Sequence, residues 1–523
     1  MKKLYLLVVL FFSCIASSQF NLEHTYNNEA GIVRVNLENS GEKYYGINNE
    51  TQTLVLYNAD HTLWKSIPLI TPTNTGSIYI RHVSESKINP DANIEVIYYC
   101  SYFVGSAIHN VGKVISENGT QILTSDDTDD IILSEIQDFS NKIIANTTNQ
   151  TSRVYDLSGN LEHFYSEGLV KRSKLENSGD KYYLLDRANG VSRVFNSDHS
   201  LWKTIPLPKP AAATYNYVTF ISETLINSDA LLEIAYTYRQ STFETRLINE
   251  NGELLLSVSD CSGLHLSHLD GCADKLVTRL TASGSATSYY SLPSLALEHV
   301  YPTITQRVLM DNVIEKYFTV YNDNEQFVIY NMDHSVWKSI TLNKPANASL
   351  REMLFVSQTR VNDDPLVEFS YGYSVPLGSG RFYYECKMIN ELGDVLLTVP
   401  DCLNLYIYGA PNFETEKLIG LKYIENVMYF ASVYGLNALA VKSQHDEQQC
   451  VVYPNPVDNT LYINANEIIT DVEIYNQLGM LVRKVSSFSI VELSTLDLSE
   501  GMYLIKITDR FNKKSTQKIV VSR

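Results

Sequence analysis

Short apolar stretches separated by polar turns make up most of the chain, and their spacing is that of β-strands. Apolar residues either alternate with polar ones, as from Ile463 to Ala465, or cluster in short runs such as Ile94-Glu-Val-Ile-Tyr98. We find no long stretch with the 3.6-residue period of an amphipathic helix. The pattern therefore predicts an all-β protein.

One type of tight turn recurs between these apolar runs. Its closing position requires a positive φ, which costs glycine nothing. His is among the few other residue types enriched at positive φ. The residues at this position are Gly119, Gly159, Gly252, Gly393, His61, His199 and His334. We predict that each such turn closes a β-hairpin.

The turns that contain His belong to a long repeat. Asn58-Ala-Asp-His-Thr-Leu-Trp64-Lys65 matches Asn196-Ser-Asp-His-Ser-Leu-Trp202-Lys203 and Asn331-Met-Asp-His-Ser-Val-Trp337-Lys338, and these contain the only three Trp residues. The Trp positions are 138 and 135 residues apart, and other segments repeat at the same spacing. Residues 19–441 are thus three tandem copies of about 137 residues, each with three hairpins.

A hairpin roughly every 46 residues is close to the period of a four-stranded propeller blade. We therefore predict a β-propeller with up to nine blades, although about 4–8 is usual. Eight blades with merged ends, or two packed subdomains, are the alternatives. The segment at residues 20–26 matches strands that end a hairpin in later copies but has no hairpin before it. We expect it to pair into the last blade and close the ring, since an unpaired edge strand promotes aggregation.

The chain has further segments before and after the repeats. Residues 1–18 have the charged start, apolar run and small-residue cleavage site of a signal peptide. Cys14 follows a poor lipobox, which favours cleavage over a lipid anchor. Residues 442–450 form a polar linker, and residues 451–523 have the pattern of a small antiparallel β-sandwich. No later stretch is apolar over the ~18 residues that a transmembrane helix needs.

Charge and cysteine content restrict the possible partners. A formal charge of −18 argues against binding to nucleic acid or to anionic membranes. Six cysteines remain after cleavage, and an exported chain can keep disulfides. We expect Cys261 and Cys272, eleven positions apart, to be the most favourable local pair. We align Cys100 with Cys386 in copies one and three, and we expect these two cysteines to lie too far apart in a ring to pair.

The C-terminal segment resembles a known family. Tyr453-Pro-Asn-Pro456, the hairpin at Leu478-Gly479, the strand Leu498-Ser-Glu-Gly-Met-Tyr-Leu-Ile-Lys-Ile507 and the basic tail resemble the type A C-terminal sorting domain of type IX secretion in Bacteroidetes. The resemblance implies that residues 451–523 engage the type IX machinery. It also implies passage across the outer membrane, followed by release or attachment at the cell surface. The repeats resemble propeller-like regions of such exported proteins, which indicates no activity.

Two repeated motifs are candidate sites. In the Asp-His-x-x-Trp-Lys motif, we expect Asp to start the turn, His to adopt positive φ and Trp to be buried between blades. Contact with a ligand or metal is the lesser alternative. Asn-x-Asp-x-x-x-Glu offers oxygen ligands that calcium accepts, but it lacks the alternating acids and Gly of an EF-hand loop, and Asx-turns at a strand junction are the favoured explanation. The weak calcium candidates are Asp91, Glu95, Asp229, Glu233, Asp364 and Glu368.

The sequence contains no recognisable catalytic, phosphate-binding or dinucleotide-binding motif. We therefore predict no catalytic or cofactor-binding residues, with calcium as the one possible cofactor. The function that the sequence favours is a secreted or cell-surface binding or scaffold protein for an unknown glycan, protein or matrix ligand. The alternative is a secreted hydrolase with an acidic site at the propeller channel.

Overall fold

The computed structural model describes residues 20–91, 93–227, 229, 231–280, 286–311, 314–362, 364–408, 415–424, 427–436, 450–465, 469–476, 480–486, 492–509 and 514–522. The predicted signal peptide and nearly all of the predicted linker lie outside these residues. Every element within them is a β-strand. No helix there has the length and hydropathy that crossing a membrane requires. The chain divides into two compact units, Met1–Asn437 and Ala438–Arg523.

The first unit contains nine antiparallel sheets of four strands, which we number as blades 1 to 9. Blades 1 to 3 comprise β2–β5 (Ala30–Leu37, Gly41–Asn48, Thr53–Asn58, Leu63–Pro68), β6–β9 (Thr75–Ser84, Glu95–Val104, Ala107–Ser116, Gln121–Asp126) and β10–β13 (Thr128–Ser134, Lys142–Thr147, Ser152–Tyr155, Leu161–Tyr165). Blades 4 to 6 comprise β14–β17 (Val170–Leu175, Gly179–Asp186, Val191–Asn196, Leu201–Pro206), β18–β21 (Thr214–Ser222, Glu233–Arg239, Phe243–Asn249, Leu254–Ser259) and β22–β25 (Cys261–Ser267, Lys275–Leu280, Thr287–Ser291, Leu297–Tyr301). Blades 7 to 9 comprise β26–β29 (Thr305–Met310, Ile314–Tyr321, Gln326–Tyr330, Val336–Thr341), β30–β33 (Ser349–Ser357, Glu368–Gly378, Arg381–Asn390, Val395–Pro400) and β34–β36 (Cys402–Tyr408, Lys417–Ile424, Val427–Leu436) together with β1 (Phe20–Tyr26).

The first strand of the chain completes the last blade. β1 pairs antiparallel with β36, from Phe20 opposite Leu436 to Tyr26 opposite Ala431. Phe20 and Tyr26 are both buried. The predicted ring closure is therefore confirmed, and the repeats form one propeller of nine blades rather than eight blades or two subdomains.

The core of the propeller consists of one hydrophobic cluster at each junction between neighbouring blades. The cluster between blades 9 and 1 joins Tyr26 and Val433 to Ile32 and Tyr44. A single sheet buries little apolar surface, so each blade depends on both neighbours for its stability. This arrangement explains why the chain needs a closed ring.

The turns define two faces of the propeller. We call the strands of each blade A, B, C and D in chain order. Antiparallel pairing places the A–B and C–D turns at one end of the blade, which we call the A–B face. The B–C turns and the connections to the next blade lie at the opposite end, the B–C face. All seven turn positions predicted to need positive φ have it, from 64° at His334 to 88° at Gly393.

The predicted pairing of Cys261 with Cys272 is wrong. Cys261 is the first residue of β22, on the B–C face, whereas Cys272 lies in the turn beyond the other end of that strand. Seven residues of extended strand span roughly 20 Å, which is far beyond the reach of a disulfide. Both cysteines are free thiols. The predicted correspondence of Cys100 with Cys386 is also wrong, because Cys100 lies on β7, strand B of blade 2, and Cys386 on β32, strand C of blade 8.

The second unit is a small β-sandwich. One sheet contains β37 (Cys450–Tyr453), β38 (Thr460–Ala465) and β41 (Glu492–Ser494), and the other contains β40 (Leu481–Ser486), β39 (Ile469–Asn476), β42 (Gly501–Asp509) and β43 (Lys514–Val521). Its core contains Val452, Leu461, Ile474 and Ile505. The alternating pattern in the sequence therefore corresponds to one buried and one exposed face of each sheet.

Candidate functional site

The repeated Trp residues lie near the A–B face, each on the outer strand of its blade. Trp202 packs at the edge of the cluster between blades 4 and 5 and is only partly buried. The ammonium groups of Lys181 and Lys203 lie 5.0 and 4.6 Å from the centroid of its indole ring. Full burial between blades is thus wrong, because an edge strand leaves one side of the ring to solvent and cations cover it.

The second lysine of each motif ties its blade to the next one. Lys65 Nζ lies 2.6 Å from the Glu117 carboxylate, in the C–D turn of blade 2, and Lys203 pairs with Glu250 in blade 5. Lys338 pairs with Glu391 at 2.5 Å. The Trp-Lys pairs therefore brace the junctions that follow blades 1, 4 and 7.

The repeated His residues face the preceding blade. Tyr165 Oη lies 2.8 Å from His199 Nδ1. The ring of His163 stacks on that of His199 at 4.8 Å with 9° between their planes. His199 Nε2 lies 3.8 Å from Glu162, which also pairs with Lys142. Burial lowers the pKa of His199, so the ring is neutral at pH 7.

The same cluster recurs at two other junctions, with His61 near Tyr26, His24 and Glu23, and with His334 near Tyr301, His299 and Glu298. Each Tyr–His distance is again 2.8 Å. These His residues were predicted to serve only the turn. The structure corrects that interpretation, because each ring is also buried and hydrogen-bonded across a junction.

The calcium candidates occupy the A–B connections of blades 2, 5 and 8. Each Glu is the first residue of strand B and is fully buried. Asn89 Nδ2 donates to Glu95 Oε1 at 3.0 Å, and Ser116 Oγ lies 3.4 Å from the same oxygen. Among the described residues, neither carboxylate oxygen of Glu233 or of Glu368 makes a well-formed hydrogen bond, although the amides of Asn227 and Asn362 act on them. The structure thus brings each Asp and Glu of the motif together but separates the three copies.

Burial and the neighbouring aspartate make these carboxyl groups hard to ionise. Burial, and then the charge of Asp91, raises the pKa of Glu95 to about 7. The same causes raise the pKa of Glu233 to about 8 and that of Glu368 to about 9. Among the described residues, no three His, Cys, Asp or Glu side chains are grouped so that they could hold a metal ion. Glu233 and Glu368 are therefore mostly neutral at pH 7, whereas Glu95 is neutral and ionised in comparable proportions.

Sequence reasoning missed a further link on the A–B face. The Glu85 carboxylate accepts hydrogen bonds from the backbone N–H groups of Asn39 and Ser40, at 2.7 and 2.8 Å. Glu38 in turn accepts from the backbone N–H of Glu85 at 2.7 Å. Glu223 makes the equivalent contacts with Asn177 and Ser178 in copy two. The recurrence of Glu at a fixed distance before the Asn-x-Asp motif was the available signal.

The copies differ on the B–C face, where two hairpins extend beyond their sheets. In blade 8, strands β31 and β32 pair with each other as far as Gly378 and Arg381. Strand A, β30, pairs with β31 only as far as Ser374. Blade 2 has a shorter extension, which ends at Val104 and Ala107. In blade 5 the equivalent hairpin has no extension, because Arg239, the last residue of strand B, still pairs with Thr214 of strand A.

The two extended hairpins carry exposed apolar side chains at their tips. In blade 2, Val104 is 57% and Ile108 65% exposed, and Phe103 is also exposed. In blade 8, Leu377 is 56% and Phe382 46% exposed. Clustered apolar side chains that remain in water mark interaction surfaces more often than isolated ones do. These tips are the part of the propeller best suited to contact another molecule.

The described side chains of the inner strands include two acids and several cations. In a propeller the A strands surround the central channel. Among their described side chains, the acids are Asp129 and Asp130, which contact Asn110 at 2.6 Å and Arg81 at 2.6 Å. Lys171 Nζ donates to the carbonyl of Val218 at 2.9 Å, and burial lowers its pKa. The described channel residues therefore include paired acids and several cations.

Comparison with known proteins identifies the C-terminal unit. A family model for the secretion system C-terminal sorting domain matches residues 451–522. No curated protein matches the chain.

Solved structures with similar folds include propellers. BamB from Moraxella catarrhalis is 8% identical, with 78% of this chain and 99% of that chain covered at a TM-score of 0.32. The Dos1 propeller is 11% identical, with 80% and 96% covered at a TM-score of 0.37. These similarities concern the fold alone. The chain is therefore a β-propeller followed, at residues 451–522, by the C-terminal sorting domain of type IX secretion, which indicates export and an extracellular or surface location.

Proposed function

We propose that the exported propeller is a binding protein whose ligand is another protein, held by the extended hairpins of blades 2 and 8. The observation that carries this proposal is the exposure of Val104, Ile108, Leu377 and Phe382 at hairpin tips that only two of the three copies extend.

The division between the two faces supports the proposal. The repeated Asp-His-x-x-Trp-Lys and Asn-x-Asp motifs of the three copies lie at the A–B face, where their side chains join neighbouring blades and so contribute to stability. The extended hairpins reach beyond the sheets of their blades, and exposure of their apolar tips to water is unfavourable. A partner that covers them would recover roughly 25 cal/mol for each Å² of apolar surface buried.

The chemistry of the tips favours a protein ligand over a glycan. Val104, Ile108 and Leu377 are aliphatic, and aliphatic side chains gain most when they enter an apolar pocket. Sugars offer mainly hydroxyl groups and stack best on flat aromatic rings. Near the blade 8 tip, Arg351 lies 5.0 Å from the Tyr384 ring centroid, which adds a cation and an aromatic ring to the rim of the surface.

A binding survey tests the proposal. The full mature chain is applied to an array of extracellular proteins and to a glycan array, beside the double variants Val104→Ser/Ile108→Ser and Leu377→Ser/Phe382→Ser. The matched control is Met332→Ser/Leu392→Ser, which removes two equally exposed apolar side chains from the A–B face. We expect binding to proteins that is lost in the hairpin variants and kept in the control. Binding to glycans alone, or equal loss in the control, would refute the proposal.

A further inference from the structure

Two buried cysteines meet at the junction between blades 8 and 9. Cys386 lies on strand C of blade 8 and Cys402 is the first residue of strand A of blade 9. Each side chain is 1% exposed. The Cys386 thiol donates to the backbone carbonyl of Cys402 at 3.3 Å, and the two thiols contact each other.

The equivalent positions in the other copies are also in contact, but they do not both hold sulfur. In copy two, Thr245 Oγ1 donates to the carbonyl of Cys261 at 2.9 Å. In copy one, Gly112 lies against Thr128 so closely that an added Cβ would be 2.8 Å from the threonine methyl. The backbone thus brings this pair of positions together at three junctions, and only copy three has cysteine at both.

We propose that Cys386 and Cys402 form a disulfide that joins blade 8 to blade 9 in the exported protein. Each thiol gives up its proton, the two sulfurs bond, and two electrons reduce the disulfide of a thiol–disulfide oxidant to two thiols. The compartments outside the inner membrane are oxidising, and the sorting domain indicates that the chain passes through them.

The location explains what this bond would do. Phe20, the first residue of the closing strand β1, packs in the same cluster as Cys386 and Cys402. Contact with Cys386 and burial raise the pKa of the Cys402 thiol, so it is unreactive once the junction has formed. The bond therefore forms during folding, holds the last two blades together and is afterwards shielded from reductants.

Peptide mapping tests the proposal on the full chain, exported by a bacterium with a type IX system. The protein is quenched in acid, denatured, alkylated without reductant, digested and analysed by mass spectrometry. We expect the peptides with Cys386 and Cys402 to be linked and unalkylated, whereas Cys100 and Cys261 are alkylated. Alkylation of both Cys386 and Cys402 would overturn the proposal.

Two variants sharpen the result. In Cys386→Ser, the thiol of Cys402 should become available and be alkylated, and its continued protection would contradict a 386–402 bond. Thr245→Cys gives copy two the same pair, so a second linked peptide that joins positions 245 and 261 is expected. Failure of that second link to form would contradict the shared geometry on which the proposal depends.

Discussion

Replacement of Glu233 with Gln should change how the stability of the propeller depends on pH. Glu233 is fully buried, and its carboxylate makes no well-formed hydrogen bond to a described residue. Burial and the charge of Asp229 raise its pKa from 4.5 to about 8. Between these values the unfolded chain releases the proton while the folded chain keeps it. The contribution of Glu233 to stability is therefore complete below pH 4.5, is lost as pH rises to about 8 and is constant above that.

The size of the effect follows from the same two values. Each tenfold change in an acid dissociation constant corresponds to about 1.4 kcal/mol, so the shift corresponds to on the order of 5 kcal/mol for an ionised Glu233 in a dry pocket. Gln has the same shape and no charge. We expect Glu233→Gln to match the wild type within about 1 kcal/mol at pH 5 and to exceed its free energy of unfolding by about 2–5 kcal/mol at pH 9.

Urea unfolding of the full chain, followed by Trp fluorescence from pH 5 to pH 9, measures this difference. All three Trp residues lie in the propeller, so the sorting domain does not contribute to the signal. Glu50→Gln is the matched control, because Glu50 is exposed in a B–C turn. If the difference between Glu233→Gln and wild type is the same at pH 5 and pH 9, Glu233 is not the neutral buried acid described above.

Three further predictions concern the repeated features. His199→Gly should lower the free energy of unfolding by about 1–2 kcal/mol, because the loss of the hydrogen-bond partner of the buried Tyr165 hydroxyl outweighs the relief of positive φ by Gly. Tyr165→Phe should lower it no further in that variant. An unchanged free energy of unfolding in His199→Gly would contradict the reasoning. Deletion of residues 19–27 should cause chains to associate or melt earlier, since β1 is strand D of blade 9, and a monomer that melts like the parent in sedimentation and calorimetry would contradict ring closure. A chelator should change the melting temperature by less than about 2 °C. A large drop would indicate that Asp91, Glu95 and their equivalents bind calcium.

The parts of the fold that could be predicted from sequence are those fixed by local chemistry. Positive φ at Gly252 or His61 follows from the residue and its turn, and the lack of a hairpin before Phe20 indicates a strand that must pair elsewhere. The sorting domain has a distinctive set of motifs. Because tandem copies repeat the same turns, the number of hairpins also gave the number of blades.

Contacts across junctions could not be predicted, because they depend on how blades pack. His199 and Tyr165 lie 34 positions apart in different blades, so local turn chemistry does not show that they are in contact. Trp202 is of a residue type that is usually buried, but it lies on an edge strand, where the ammonium groups of two lysines lie against its ring. The Asn-x-Asp motif resembles an exposed turn, whereas its final Glu begins strand B of its blade and is buried. The apolar run after each Glu was the signal for that burial.

Hydrogen–deuterium exchange is the most direct test of the claim that the B–C hairpins bind and the A–B face supports the ring. The full chain is compared with and without the protein that the array retains best. We expect slower exchange at residues 102–109 and 375–384, with no change in the C–D turns at residues 58–62 and 390–394. Protection of those C–D turns, with the hairpin tips unchanged, would contradict the account.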